Sequence, residues 1–290
     1  MVKRGVEARH TMRTTLYDIQ KMKAERTPIP VLTAYDATTA RIAETAGIPL
    51  ILVGDSLGMV VQGNETPISV TLEEMIYHGR VVVRTTKKPL IVVDLPFMTY
   101  KISAEQALAS AARVMQETGA GGVKLEGGLE VAPTVYRIVQ SGIPVIAHVG
   151  LTPQSYHQQG GWRVQGREAT AANALLEAAK ALEAAGAFAI VLEMIPITVA
   201  KVISETLHIP TIGIGAGMHT DGQVQVFHDL VGLSERTPKH AQHFGEAGEV
   251  MVRALRGYAE AVQGRTFPTE ANAAELSDAA KQAFEDSLNG

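Results

Sequence analysis

The chain contains no cysteine, which excludes disulfides, zinc–thiolate sites, iron–sulfur clusters and cysteine nucleophiles. Aromatic residues make up only 5% of its 290 positions, with a single tryptophan, and this argues against a platform for stacking nucleic-acid bases. Long apolar runs are missing too: residues 48–53 and 187–192 fall far short of the ~20 that a membrane helix needs. Neither sign of charge is in large excess. Twenty-six basic against 30 acidic side chains leave a net charge of −4, which carries no electrostatic footprint for nucleic acid.

What is present is core-forming material. Hydrophobic residues are 46% of the chain and charged ones 19%, so disordered, collagen-like and coiled-coil classes are excluded. A chain of 290 residues suffices for two average domains or for one large barrel of ~250. The first 26 residues carry seven Lys/Arg against three Asp/Glu but no apolar h-region, so they do not read as a secretory signal. We read residues 1–13 as a flexible basic tail leading into a helix over 14–25; an Arg-rich transit peptide is the alternative. Residues 268–290 hold five acids and one base and read as an acidic, partly helical tail. The expectation is a cytoplasmic, single-domain α/β protein over 1–290, without a membrane or nucleic-acid partner.

Two patterns alternate along the chain. Short β-rich runs occur at 31–35, 50–54, 90–94, 122–126, 144–149, 189–193, 210–214 and, weakly, 226–233. Between them lie Ala-, Glu- and Leu-rich segments of helical period, such as 104–118 and 168–185. Thr71…Glu74, Ser103…Gln106 and Thr220…Gln223 have the spacing of capping boxes, while Gly119 and Gly186 stand where helices would end. Eight such units without a long polar linker indicate a closed (β/α)8 barrel with an N-terminal helix and a helical C-terminal extension. An open doubly wound sheet would call for a Gly-rich turn after the first strand, and Ala34-Tyr35-Asp36-Ala37 has none.

Barrel chemistry is built where strands end. Asp36, Asp55, Asp94, Glu126, His148 and Glu193 occupy those positions, followed by GIGAG (213–217) and His228-Asp229. Alternation places Ile51, Val53 and Asp55 on one strand face, Lys124 with Glu126, Ile146 with His148 and Val191 with Glu193. Several carboxylates at one rim require countercharge, and an all-oxygen ligand set suits Mg²⁺. Each residue also has a plain alternative. Asp55 and Asp94 have the chemistry of helix caps, Glu126 between glycines that of a surface loop, and His148 that of a satisfied core histidine. Lys124 in an apolar strand is harder to explain without a partner. Glu193 ends an unbroken apolar run, where desolvation raises a carboxyl's pKa toward that of a general base. GIGAG with a following capped helix has the makings of a phosphate cradle, and 160–167 of a lid.

Ala34-Tyr35-Asp36, LVGDSLGMVVQG (52–63), DLPFM (94–98), VKLEGG (123–128), HVGLTPQS (148–155), VQGR (164–167), VLEMIP (191–196) and GIGAG, in this order, resemble the ketopantoate hydroxymethyltransferase family. The likeness runs from about Thr15 to Pro268, and GDSLGM and HVGLTPQS are its most specific parts. It implies a TIM barrel of the phosphoenolpyruvate-mutase and isocitrate-lyase kind, assembled as a decamer of two pentameric rings. It implies transfer of a hydroxymethyl group from 5,10-methylenetetrahydrofolate to 3-methyl-2-oxobutanoate, forming 2-dehydropantoate on the way to pantothenate and coenzyme A. It further implies one Mg²⁺ per subunit on Asp55, Asp94 and Glu126, oxo-acid contacts from Asp55, Ser56, Asp94 and Lys124, and Glu193 as proton acceptor. His148 enters as an accessory group beside the substrate. Departures are peripheral, at Asn64-Glu65-Thr66-Pro67, at Met218-His219 and in both tails. A carbon–carbon lyase on the same barrel is the competing enzyme reading, though the related lyases rely on a cysteine. A non-catalytic binding protein is the third.

Overall fold

The computed structural model describes residues 13–289. The expected basic tail lies outside them except for Arg13, whose guanidinium donates to the carbonyls of Val83, Thr86 and Pro89. Eight strands follow one another: β1 (Ile29–Thr33), β2 (Leu50–Val53), β3 (Leu90–Asp94), β4 (Gly122–Glu126), β5 (Val145–Gly150), β6 (Ala189–Glu193), β7 (Thr211–Ile214) and β8 (Gly222–Gln225). They close into a barrel in sequence order, every pair parallel, with β8 hydrogen-bonded back to β1.

Helix α1 (Leu16–Ala24) precedes the barrel, opened by a reciprocal Thr15–Asp18 capping box. The barrel helices are α2 (Ala37–Thr45), the short α3 (Leu57–Val60), α4 (Leu72–Thr85), α5 (Ala104–Thr118), α6 (Ala132–Val139), the short α7 (Tyr156–Gln159), α8 (Ala169–Ala184) and α9 (Ile197–Thr206). After β8 come α10 (Phe227–Leu230), α11 (Ala247–Gln263) and α12 (Asp278–Leu288), the last within the expected acidic tail. Thr71 and Glu74 form the complete box at the head of α4. At α5 only half of one exists: Ser103 accepts from Gln106 N, whereas the Gln106 side chain bonds Ile102 N and Met98 O.

Strand alternation divides the apolar residues into two layers. Val31, Leu50, Leu52, Val92, Ile146 and Val191 fill the barrel interior. Ile51, Val53, Val93, Leu125, Ala147 and Leu192 face outward against helix residues such as Met75, Val114, Ile138 and Leu182. Each such side chain contributes roughly 1.5–3 kcal/mol of burial, so the register of all eight strands is fixed.

Two stretches depart from the sequence reading. The eighth strand is Gly222–Gln225, and the apolar segment expected there, 226–233, holds α10 instead. No helix joins β7 to β8: left-handed turns at Gly215 and Gly217 send the chain straight back. Thr220 and Gln223 therefore cap nothing, and the Gln223 amide donates to Gly217 O and Thr220 Oγ1 to brace this return. The first strand ends at Thr33, two residues earlier than expected, so Tyr35 and Asp36 belong to the loop above it.

Candidate active site

The interior face of four consecutive strands, β3 to β6, carries polar residues only in the upper layer. Above Val92 stands Asp94, above Ile146 stands His148 and above Val191 stands Glu193, while Lys124 and Glu126 project from β4 between them. Lys124 closes the top of the apolar barrel core formed by Val31, Leu50, Leu52 and Ile146. Asp55 reaches the same place by another route. The inward residues of β2 are Leu50 and Leu52, not Ile51 and Val53, and Asp55 enters from the turn after the strand. That turn is closely packed at Gly54, where a Cβ would come 2.9 Å from Ser56 Oγ and make this hydroxyl move.

These side chains form a contiguous arc. The Asp55 amide donates to Asp94 Oδ2 at 3.2 Å, and Lys124 Nζ donates to the same oxygen at 2.9 Å. Lys124 Nζ lies 3.7 Å from Glu126 Oε1, which is 3.6 Å from His148 Nδ1. His148 Nε2 is 3.3 Å from Glu193 Oε2. Ser56 hydrogen-bonds the buried Tyr35 hydroxyl at 2.8 Å. All seven residues singled out in the sequence thus meet at one rim. The plain alternatives fail here: Asp55 and Asp94 cap no helix, and Glu126 is 1% exposed rather than in a surface loop. His148 is buried with neither ring nitrogen hydrogen-bonded, so it is not a satisfied core histidine. Asp36, by contrast, is a cap: it accepts from Thr38 N and Thr39 N at the head of α2.

Four carboxyl groups and one ammonium share this dry volume. Burial, then the neighbouring Asp94 and Glu126, push the Asp55 carboxyl well above its ordinary pKa. Burial also raises Glu126, against the pull of Lys124 and His148. Burial acts to lower Lys124, but Asp94, Glu126 and Asp55 outweigh it and hold the ammonium charged. For His148, burial and the nearby Lys124 bring the value down to about 4, so the ring is neutral. Glu193 is pushed up to about 7, chiefly by burial. Beyond it the chain is held tightly. Met194 takes a left-handed φ of 47°, its N–H donates to Ile214 O and its carbonyl accepts from Gln165 N. The loop expected as a lid is thereby tied beside Glu193. Gly150 is required below it, for φ is +100° and a Cβ would collide with the Glu193 carbonyl oxygen.

The donor set fits a divalent cation. Asp94 Oδ1 is buried without a hydrogen-bond partner, which is costly unless a cation or ligand meets it. Asp55 lies beside it, and Mg²⁺ characteristically takes one or two protein carboxylates and completes its shell with water and substrate oxygens. Glu126 stands further back, with Oε2 already accepting from Gln154 N at 3.1 Å. Among the described residues no three acidic or histidine side chains are placed to hold a metal ion together, so the fit rests on Asp55 and Asp94 and not on a three-carboxylate set with Glu126. GIGAG lacks the capped helix its phosphate reading needed, because β8 follows it. Two participants escaped the sequence reading. Gln154 and Tyr100 are both buried in contact with the arc, and only the position of Gln154 just past β5 hinted at a role.

A family model described as ketopantoate hydroxymethyltransferase matches residues 13–270. The chain belongs to the ketopantoate hydroxymethyltransferase family. Among its relatives in that family, a 3-methyl-2-oxobutanoate hydroxymethyltransferase of Gluconacetobacter diazotrophicus is 53% identical over 266 residues, covering 91% of this chain and 96% of the relative. One of the same name from Chloroflexus aurantiacus is 55% identical over 258 residues, 89% and 91% of the two chains. The barrel resembles those of the phosphoenolpyruvate-mutase and isocitrate-lyase superfamily. A phosphoenolpyruvate phosphomutase from Streptomyces platensis superimposes with a TM-score of 0.60 at 15% identity, over 95% of this chain and 97% of that one. A 2,3-dimethylmalate lyase of that superfamily gives 0.57 at 14% identity, over 96% and 100%. The ketopantoate hydroxymethyltransferase arc is built on this shared barrel, and no helix of its described residues is long and apolar enough to cross a membrane.

Proposed function

We propose that the chain transfers a hydroxymethyl group from 5,10-methylenetetrahydrofolate to 3-methyl-2-oxobutanoate, giving 2-dehydropantoate and tetrahydrofolate. The observation that carries this reading is Glu193, a carboxyl raised to about 7 by burial at the end of an arc of carboxylates and one ammonium that fits a cation. The names of the family relatives support the substrate. A Mg²⁺ ion held by Asp55 and Asp94, with Glu126 behind them, would supply Lewis-acid polarisation of the keto oxygen.

The protein's own groups do the rest. Lys124 offsets the charge of the substrate carboxylate, and Ser56 offers a hydroxyl beside Asp55. Glu193 accepts the C3 proton, and the electron pair of that C–H bond becomes the new carbon–carbon bond to the one-carbon unit. Water supplies the hydroxyl oxygen of the product as both carbon–nitrogen bonds of the one-carbon unit break, and the proton taken from C3 and one proton of the water end on the two nitrogens of the departing tetrahydrofolate. His148, neutral and 3.3 Å from Glu193, keeps a second charge away from the base while filling the wall beside it. The reading includes a cytoplasmic location.

Because only ionised Glu193 accepts a proton, acid should switch the enolisation off. Exchange of the C3 proton for deuterium, followed by proton NMR without folate, should fall tenfold per unit below a pH of about 7 and level off above it. A rate independent of pH across that value would contradict the assignment of the base.

The same reading includes a homo-oligomer, a decamer of two pentameric rings. Its support on this chain is α11, which has no buried residue although Met251, Leu255, Tyr258 and Val262 recur at helical spacing along it. Light scattering should give about ten times the 30.9 kDa chain mass, and Leu255→Asp should reduce it. A monomeric wild type would contradict the assembly.

A further inference from the structure

We propose that Gln154 is a positioning residue that sets the Asp55 and Glu126 carboxylates for the 2-oxo acid, an inference that rests on the substrate reading given above. Gln154 lies in the turn Pro153–Ser155 after β5 and is 2% exposed. Its amide nitrogen donates to Asp55 Oδ2 at 2.8 Å and to Leu95 O at 2.9 Å. Its amide oxygen accepts from the Tyr100 hydroxyl at 2.7 Å. Its backbone N–H donates to Glu126 Oε2 at 3.1 Å. One residue therefore holds two of the buried carboxyl groups, one by side chain and one by main chain.

The network has a single polarity. Both amide protons face acceptors, and the amide oxygen faces a hydroxyl. Turning the amide over would set its oxygen against Asp55 Oδ2 and Leu95 O, two acceptors, and it is these two that fix the polarity, because the Tyr100 hydroxyl can also donate to Glu126 O at 2.9 Å and accept from an NH₂. Tyr100 is fixed in turn, since its oxygen accepts from Glu126 N at 3.1 Å. The result is a rigid second layer: β4 holds Tyr100, Tyr100 and Leu95 O hold the Gln154 amide, and Gln154 fixes Oδ2 of Asp55 and so directs the rest of that carboxylate at the ligand. Gln154 hydrogen-bonds neither Lys124 nor Glu193, so its influence should fall on binding and not on proton removal. Layers of this kind tune a site by orienting the groups that touch the ligand.

Gln154→Met keeps the length of the side chain and the backbone N–H but removes both side-chain donors. With Mg²⁺ present, its calorimetric affinity for 3-methyl-2-oxobutanoate should fall on the order of tenfold, the value of one charge-assisted hydrogen bond. Titration of Mg²⁺ alone should weaken in the same direction. Deuterium exchange at saturating oxo acid should stay within about threefold of wild type, because Glu193 is untouched. Tyr100→Phe, which removes the hydroxyl bonded to the amide oxygen and leaves both amide donors in place, should give a smaller loss of the same kind and decides the matter if Gln154→Met does not fold. A folded Gln154→Met protein with wild-type oxo-acid affinity would overturn the inference. A variant whose affinity is normal while its melting temperature and exchange rate fall together would also overturn it, as a merely structural role. If the wild type itself bound no oxo acid, the substrate reading would fall and this inference with it.

Discussion

Glu193→Gln is expected to bind 3-methyl-2-oxobutanoate nearly as the wild type does and to lose C3 proton exchange by a factor of ~10²–10⁴, the usual effect of removing a general base. The separation follows from the geometry. Glu193 stands at the last position of β6, its side chain 12% exposed, and faces His148 rather than Lys124 or Asp94. Gln preserves the size and one acceptor oxygen, so the wall of the site is unchanged, but an amide cannot take up the proton. Its loss of charge even relieves the desolvation that raises Glu193 in the wild type, so the variant should fold at least as stably at neutral pH. Exchange measured in D₂O without folate isolates this step from carbon–carbon bond formation. Wild-type exchange in the Gln variant would reject Glu193, and His148 would be the next group to test.

Asp94→Ala should have an effect of comparable size on binding. Asp94 does three things at once: it accepts from the Asp55 amide, pairs with Lys124, and holds Oδ1 buried and unpartnered toward the site. Removing it strips a proposed cation ligand and leaves Lys124 with only Glu126, at 3.7 Å. Breaking a buried pair of this kind typically costs 3–5 kcal/mol of stability; separately, loss of a cation ligand should lower Mg²⁺-dependent oxo-acid affinity on the order of 100-fold or more. Asp55→Ala should lose the same cation-dependent affinity while sparing the Lys124 pair, which distinguishes loss of a ligand from loss of the ion pair. Calorimetry on both variants decides the point, and unchanged affinity in both would contradict the chelate.

Much of this site was legible because strand alternation is a simple rule. Asp94, Glu126 and Glu193 end apolar strands, and Lys124 and His148 lie two residues before an end, where a period of two leaves little choice of face. Asp55 was assigned to the rim on the wrong ground: the face it shares with Ile51 and Val53 points outward, and the turn at Gly54 brings it in. Gln154 and Tyr100 carry no periodic signal, since each lies in a loop where polar residues are ordinary, and their role appears only when β3, β4 and β5 are brought side by side. The eighth strand was misplaced for a related reason. Gly222-Gln-Val-Gln225 is short and half polar, and pairing with β1 and β7 makes it a strand, whereas the apolar 226–233 looked the better candidate.

The most direct test of the account is formation of 2-dehydropantoate by the wild-type protein from 3-methyl-2-oxobutanoate and 5,10-methylenetetrahydrofolate, assayed with and without a chelator. The account predicts product that appears only when both substrates are present and that is lost on chelation and restored by Mg²⁺. Absence of product under metal-replete conditions, with the protein folded and assembled, would contradict it.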